Sequence, residues 1–425
     1  MDASAPPRAL LRALFEAGVA AADPAAAVTA ALQAEPPPLP GPGGRTEVIA
    51  IGKAAVGMAR AAAAALAGQG RPVAAVLAVT TDAQAEGVAD MTALAGDHPV
   101  PGAGSLSAAE AVEARAAALG AGDVAVVLIS GGASALVCAP APGLELSDKV
   151  ALNRLLLASG ADIETMNLIR QACSRLKGGG LARALAPARA VALVLSDVIG
   201  DDLRAVASGP TLPPLGDRAQ AAAALRALGL WDDLTPRLRA HLASPAAASA
   251  PVPEVPTRLI GSNRRSVLAM AEAARAAGIE PIVHARPMIG DVAEAAARVL
   301  DRGARRPGLH LWGGETTVRL RGDGRGGRNQ ELALRVALGA AAGAGPGAGW
   351  AFLSGGTDGR DGPTDAAGGI VDDGTAGRIA AAGLDAAAAL ARNDSHAALA
   401  AAGDLLVTGP TGTNVADLQV LWSPG

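Results

Sequence analysis

Runs of consecutive apolar residues, each ending in glycine or a small polar residue and followed by a helical stretch, constrain this chain most. Thr46–Ile51 reads as a strand, followed by a helix from Lys53 to Leu66. Val73–Val79 is a second strand, Leu106–Leu119 a helix, and Val124–Ser130 a strand ending in Gly131-Gly132. Helices over Ser147–Ser159 and Ile163–Arg170 precede a strand at Val191–Ser196 that ends at Asp197. These strands are apolar throughout rather than at every second residue, as expected where both faces are covered. The rhythm predicts an α/β fold with a parallel sheet and helices on both sides. In such sheets ligands bind beyond the carboxyl ends of the strands, where Gly52-Lys53, Gly131-Gly132 and Ser196-Asp197 lie.

A second α/β unit follows. Its strands are expected at Arg258–Gly261, Pro281–Ala285, Leu309–Trp312, Trp350–Ser354, Asp404–Thr408 and Leu418–Trp422, with helices at Arg264–Ala277 and from Asn329 onward. Arg8–Gln33 reads as one alanine-rich amphipathic helix, and Pro36–Gly44 as a linker. Pro210–Pro256 is expected to hold one or two helices packed between the lobes. A length of 425 residues suits two or three domains.

Tyrosine is absent and aromatics make up 1% of residues, so the core must be alanine, leucine and valine. Base stacking on aromatic rings is thereby disfavoured, and a net charge of −4 argues against a nucleic-acid partner. Cys138 and Cys173 have no metal-ligand spacing. No run of about 18 uncharged apolar residues suggests a membrane span, and no secretory signal is evident. A cytoplasmic protein is the expectation.

Of 36 basic residues only Lys53, Lys149 and Lys177 are lysine. Lysine is a compact point charge on a thin stem, whereas arginine is a wide planar fork. Lys53 and Lys177 stand beside glycine where a strand or turn meets a helix, which suits a cation placed against a phosphate in a narrow space. Asparagine is also scarce, and Asn263, Asn329, Asn393 and Asn414 lie in glycine- or serine-flanked segments.

Two glycine loops could present backbone N–H groups to an anion: Ser130-Gly131-Gly132-Ala133-Ser134 and Lys177-Gly178-Gly179-Gly180. Ser196-Asp197-Val198-Ile199-Gly200-Asp201-Asp202 puts three carboxylates at a strand end, which suits Mg²⁺ or a general base. Asp358, Asp361 and Asp365 repeat the theme in the second unit. Arg328 opens a helix after Gly326-Gly327, where a guanidinium suits a carboxylate or phosphate. His98 is the only histidine flanked by turn residues; His241, His284 and His310 read as structural. Gly322-Asp-Gly-Arg-Gly-Gly327 formally matches G-x-G-x-x-G, but the acid expected about 20 residues on is absent, and Asp358 is too far. No Walker A or protein-kinase signature is present.

Ten motifs in order resemble the class II glycerate kinases of the MOFRL type, whose members are also named hydroxypyruvate reductases. They are Ile51-Gly-Lys-Ala-Ala55, Gly96-Asp-His-Pro-Val-Pro101, Ile129-Ser-Gly-Gly-Ala-Ser-Ala135, Leu176-Lys-Gly-Gly-Gly-Leu181 and Ser196-Asp-Val-Ile-Gly-Asp201. Ser208-Gly-Pro-Thr211, Gly313-Gly-Glu-Thr316, Gly326-Gly-Arg-Asn-Gln-Glu331, Gly355-Gly-Thr-Asp-Gly359 and Thr408-Gly-Pro-Thr-Gly-Thr-Asn414 complete the set. The resemblance implies ATP-dependent phosphorylation of D-glycerate, most often at the 2-hydroxyl, with Mg²⁺. It implies a large Rossmann-like N-terminal domain (1–240), a connecting segment (241–300) and a smaller C-terminal domain (301–425), with the active site in the cleft between them. Lys53, Asp197 and Arg328 would be the central residues. Ser130, Gly131, Gly132, Ser134, Lys177, Gly178, Gly179, Asn263, Glu315, Asn329 and Asp358 would bind substrate or nucleotide, and Asp197 with Asp201 would hold the metal. ATP and glycerate are the expected partners, with a homodimer among the expected assemblies. NAD(P)H-dependent reduction of hydroxypyruvate and non-catalytic binding of a sugar acid are the competing readings.

Overall fold

A computed structural model describes residues 7–86, 88–245 and 250–424. By packing, the chain divides into a first unit, Pro24–Ile260, and a second unit formed by Met1–Asp23 together with Gly261–Gly425. These limits differ from the expected ones. Residues 241–260 go with the first unit, and 261–300, expected as a connection, belong to the second.

The first unit holds a six-stranded sheet of β1 (Thr46–Ile51), β2 (Val73–Thr80), β3 (Thr92–Ala95), β4 (Val124–Ile129), β5 (Arg189–Leu195) and β6 (Thr257–Gly261). Its order is β3-β2-β1-β4-β5-β6. The β1–β2, β2–β3, β1–β4 and β4–β5 pairs are parallel, as the apolar runs predicted. Every residue of β1 and β4 is buried. At about 1.5–3 kcal/mol for each fully buried large aliphatic side chain, these runs are the main stabilising feature of the unit. The strand order reverses between β1 and β4, and such a switch point leaves a crevice at the carboxyl ends of the two strands. Ile51 pairs with Ile129, and Ile129 with Val194, so three strand ends finish level.

The helices Arg218–Ala227 and Pro236–Ala243 appear where Pro210–Pro256 was expected to contain them. They pack within the first unit rather than between lobes. Leu225, Leu238 and Leu242 join Leu152, Leu156 and Ile169 in one apolar cluster.

The second unit holds a seven-stranded mixed sheet of β7 (Ile282–Val283), β8 (Met288–Asp291), β9 (Gly308–Thr317), β10 (Ala351–Gly356), β11 (Gly368–Asp372), β12 (Leu405–Leu406) and β13 (Asp417–Ser423). Its order is β12-β11-β10-β13-β9-β7, with β8 also pairing β9. β9 is antiparallel to β13 and parallel to β7 and β8. Trp312, Phe352 and Trp350 fill one face against the helices Val292–Arg305 and Arg328–Ala341. Leu11, Leu14 and Phe15 cover the other face beside the helix Asn263–Ala276. The few aromatic side chains are thus concentrated here, while the main core of the first unit is aliphatic.

Arg8–Gln33 is two helices, Pro7–Ala20 and Pro24–Ala34, not one. Proline is favoured in the first turn, where its missing N–H costs nothing, so Pro24 starts a new helix. No helix among the described residues is long and apolar enough to cross a membrane.

Candidate active site

The loops after β1, β4 and β5 meet at the switch point. Gly52 follows β1 with φ +133, a conformation that disfavours any side chain, and a Cβ there would lie 2.2 Å from Ser130 Oγ. The close approach lets the two loops bond to each other. Lys53 N–H donates to Gly131 O at 2.9 Å, and Ala54 N–H to Ser130 Oγ at 3.1 Å. A Cβ on Gly131 would lie 2.3 Å from Asp197 Oδ2. One on Gly132 would lie 3.2 Å from both Lys53 Cγ and His98 Cδ2. The two glycines therefore form a floor, with Asp197 against one and Lys53 and His98 against the other. Among the described residues, the N–H groups of Gly131 and Gly132 donate to no protein acceptor. No intramolecular bond competes for these donors, and successive N–H groups of this kind form an anion-binding concavity in many proteins.

Electrostatics follow from this enclosure. Burial raises the Asp197 carboxyl above the ordinary aspartate range, and the nearby Lys53 charge opposes that rise only in part. Burial lowers the His98 imidazole, and Lys53 lowers it further, which favours the neutral ring. A carboxyl made more basic, a lysine and open N–H donors around one small floor can take a proton and hold an anion.

The second glycine loop is different. The N–H groups of Gly178 and Gly179 donate to Ser208 O and Gly209 O at 3.0 and 2.9 Å, and that of Gly180 to Lys177 O at 3.1 Å. Gly178 and Gly179 have φ of +56 and +78, so glycine is needed there for the turn. The loop does not present donors to a ligand, contrary to expectation. What it positions is Lys177, whose ammonium donates to Ser134 Oγ at 2.6 Å and Ser134 O at 3.1 Å. Ser134 Oγ in turn lies 3.0 Å from Ser208 Oγ. Lys177 lines a cavity of about 240 Å³ with Lys149 and Arg170, two cations that sequence reasoning did not place in a site. The scarcity of lysine was the signal available for Lys149. Asp201 has φ 56, in the left-handed region. No grouping of three His, Cys, Asp or Glu residues suited to a metal occurs among the described residues.

In the second unit, Arg328 is already paired. Its Nε and Nη2 donate to Asp417 Oδ2 and Oδ1 at 2.6 and 2.9 Å, and Nη2 also lies 3.1 Å from Glu315 Oε1. Burial pulls its pKa down, but bonding and attraction to these carboxylates more than offset that, and the net shift is upward. Arg328 is thus not a free clamp but the counter-charge of a buried acid. Asp358 lies near this cluster, accepting from Arg360 N–H at 3.0 Å. Asn263 donates to Val415 O and Asp417 O at 2.8 and 2.9 Å, which fixes the strand carrying Asp417. Asn329 is buried, accepts from Ser354 Oγ at 2.6 Å and donates to Asp361. Both amides are occupied within the protein, so their direct role is to hold the framework.

Asp417 is fully buried, and removing its partner leaves an uncompensated carboxylate. Arg328→Ala is therefore expected to destabilise the fold by about 3 kcal/mol, read as a lower midpoint in denaturant unfolding. An unchanged midpoint would contradict the structural role of this pair.

The G-x-G-x-x-G segment at Gly322–Gly327 is filled by the protein itself. A Cβ on Gly322 or Gly324 would collide with Arg392 or Asp394, and one on Gly327 with Asp361. Arg321 and Arg325 N–H donate to Asn393 and Asp394 side chains. The glycines permit close packing of two chain segments, which supports rejecting the dinucleotide fingerprint.

The comparisons with known proteins agree with this architecture. Residues 10–243 match a family described as "Domain of unknown function (DUF4147)", and residues 308–417 match the MOFRL family. The chain is 40% identical to a "Putative hydroxypyruvate reductase" of Agrobacterium vitis, over 97% of this chain and 94% of the relative. It is 37% identical to a D-glycerate 2-kinase of Thermotoga maritima, over 88% of this chain and 90% of that one. A crystal structure of glycerate kinase from Thermotoga maritima matches with a TM-score of 0.85 at 34% identity, covering 98% of this chain and 99% of the other. On this evidence of sequence and fold together, the chain belongs to the glycerate kinase family of the MOFRL type.

Proposed function

We propose that this protein transfers the γ-phosphoryl group of ATP to D-glycerate, at the 2-hydroxyl. The observation that carries the reading is the floor of Gly131 and Gly132, with open N–H donors, set between Lys53 and a carboxyl that burial has made more basic. Phosphoryl transfer requires positioning and charge neutralisation more than covalent chemistry by the protein. Lys53 neutralises charge on the transferring group, and the N–H groups of Gly131 and Gly132 hold phosphate oxygens. Asp197 takes the hydroxyl proton as the substrate oxygen bonds to the γ-phosphorus and the bond to the β-phosphate oxygen breaks. ADP is released, and the proton passes to solvent.

Mg²⁺ needs only one or two protein carboxylates in phosphoryl-transfer sites. Asp201, expected with Asp197 as a metal ligand and lying on the same loop after β5, would be the carboxylate to hold the ion, because a divalent charge on Asp197 would lower the carboxyl that acts as base. The ion supplies charge neutralisation on the phosphates when bound.

The competing reductase reading needs a nicotinamide site, and the only glycine fingerprint is packed against residues 392–394 and Asp361. One experiment separates the two. ADP release from ATP and D-glycerate is expected, beside no oxidation of NADH or NADPH with hydroxypyruvate. Hydride transfer without ADP release would reject the kinase reading. Enzymatic discrimination of the phosphoglycerate isomers formed gives the position of transfer.

A further inference from the structure

The cavity of about 240 Å³ in the first unit contains charge that the mechanism above does not use. Lys149 and Lys177 are only 6% and 8% exposed. Lys149 Nζ donates to Arg170 O at 3.3 Å, and Arg170 Nε to Asn153 Oδ1 at 2.9 Å. Lys177 donates only to Ser134. Every one of these acceptors is neutral, and among the described residues no carboxylate pairs with any of the three cations. An ammonium has three donors and a guanidinium five, so all three side chains keep unused N–H groups where they line the cavity. Burying cations together without counter-charge is strongly unfavourable. Apolar residues would fill the same space better if the cavity served the fold alone.

The cavity adjoins the candidate active site. Ser134, in its wall, lies two residues past Gly132 on the same loop, and Pro99, also in its wall, follows His98, which faces Lys53. The space, about 240 Å³, accommodates a short hydroxy acid or its phosphate ester.

We propose that Lys149, Arg170 and Lys177 form a binding site for a small oxyanion, the hydroxy-acid substrate and its phosphorylated product. The identity of the oxyanion rests on the reaction proposed above; the anion site does not. The Lys177 ammonium, pushed down to about 7 by burial and by Lys149, with Arg170 and Cys138 also facing it, gives a second readout. Anion binding favours its charged form, so glycerate affinity should weaken as pH rises through about 7, while the glycerate carboxylate stays ionised.

Titration calorimetry of the full chain with inorganic phosphate, D-glycerate, phosphoglycerate and ATP tests this, on wild type, Lys149→Met and Arg170→Gln. Charge-assisted bonds predict about a ten-fold or greater loss of phosphate and glycerate affinity in each variant, with ATP affinity nearly unchanged. Lys149→Met should unfold at the same temperature as wild type or higher, since it removes an uncompensated buried charge. Unchanged anion binding with a lowered unfolding temperature would show Lys149 to be structural and overturn the proposal. A loss confined to ATP would put the nucleotide's phosphate tail in the cavity and equally overturn it. Phosphate binding that depends on Lys149, in an enzyme that releases no ADP with glycerate, would keep the site and reject the reaction.

Discussion

Lys53→Ala is expected to lower kcat by about 10²–10³-fold or more, the scale on which removing one preorganised electrostatic donor acts. The fold should be unaffected. The Lys53 side chain is only partly buried and forms no ion pair among the described residues. Its aliphatic stem runs over Gly132 beside His98, which leaves little width for a planar group. Lys53→Arg should therefore also fail, despite carrying the same charge. Steady-state kinetics with a parallel thermal melt check both variants. Near-normal kcat in the arginine variant would mean that the site accepts any cation and that the narrow-cleft argument is wrong.

Asp197→Asn should reduce kcat by about 10²–10⁴-fold, the range for loss of a general base, with a much smaller effect on ATP affinity. The amide can still accept a hydrogen bond, but it cannot take the hydroxyl proton. The pH profile is the sharper test. Burial raises the wild-type carboxyl, and the base must be ionised to act, so the rate should fall as pH drops through a value above the ordinary aspartate range. That acid limb should vanish in the residual activity of the asparagine variant. If kcat is unchanged, Asp197 is a structural residue of the β5 turn, and the base lies elsewhere.

What could be read from the chain depended on the length of each apolar run. β1 was legible over its whole length because six residues, buried throughout, leave a continuous signal. β3, β8 and β11 were missed. Each is only four or five residues, too short to stand out as an apolar run, and β8 and β11 also contain glycine and end in aspartate. The Asp23-Pro24 step marks the break between the two N-terminal helices, but the alanine-rich apolar pattern continues across it and hides it. At the site, Lys53, Gly131, Gly132 and Asp197 were legible because strand ends are where such sheets place their ligands. Lys149 and Arg170 sit inside ordinary-looking helices, and only tertiary packing brings them to one cavity. Arg328 was recognised as special, but its partner Asp417 lies 89 residues on, and nothing local announces the pairing. The scarce asparagines pointed to important positions, but rarity cannot distinguish ligand binding from bracing of the backbone.

The assignment of the helix Pro7–Ala20 to the second unit makes that unit discontinuous in the chain. Its apolar stripe of Leu11, Leu14 and Phe15 is covered by residues such as Met270, Leu353 and Leu418, which are made long after it. At ribosomal rates of about 5–20 residues per second, the helix leaves the ribosome tens of seconds before its partners exist. The first unit is contiguous, so it can complete its own packing during that interval. The order of synthesis thus makes this early-made helix one of the last to dock, with a bare hydrophobic face for a chaperone to shield in the meantime.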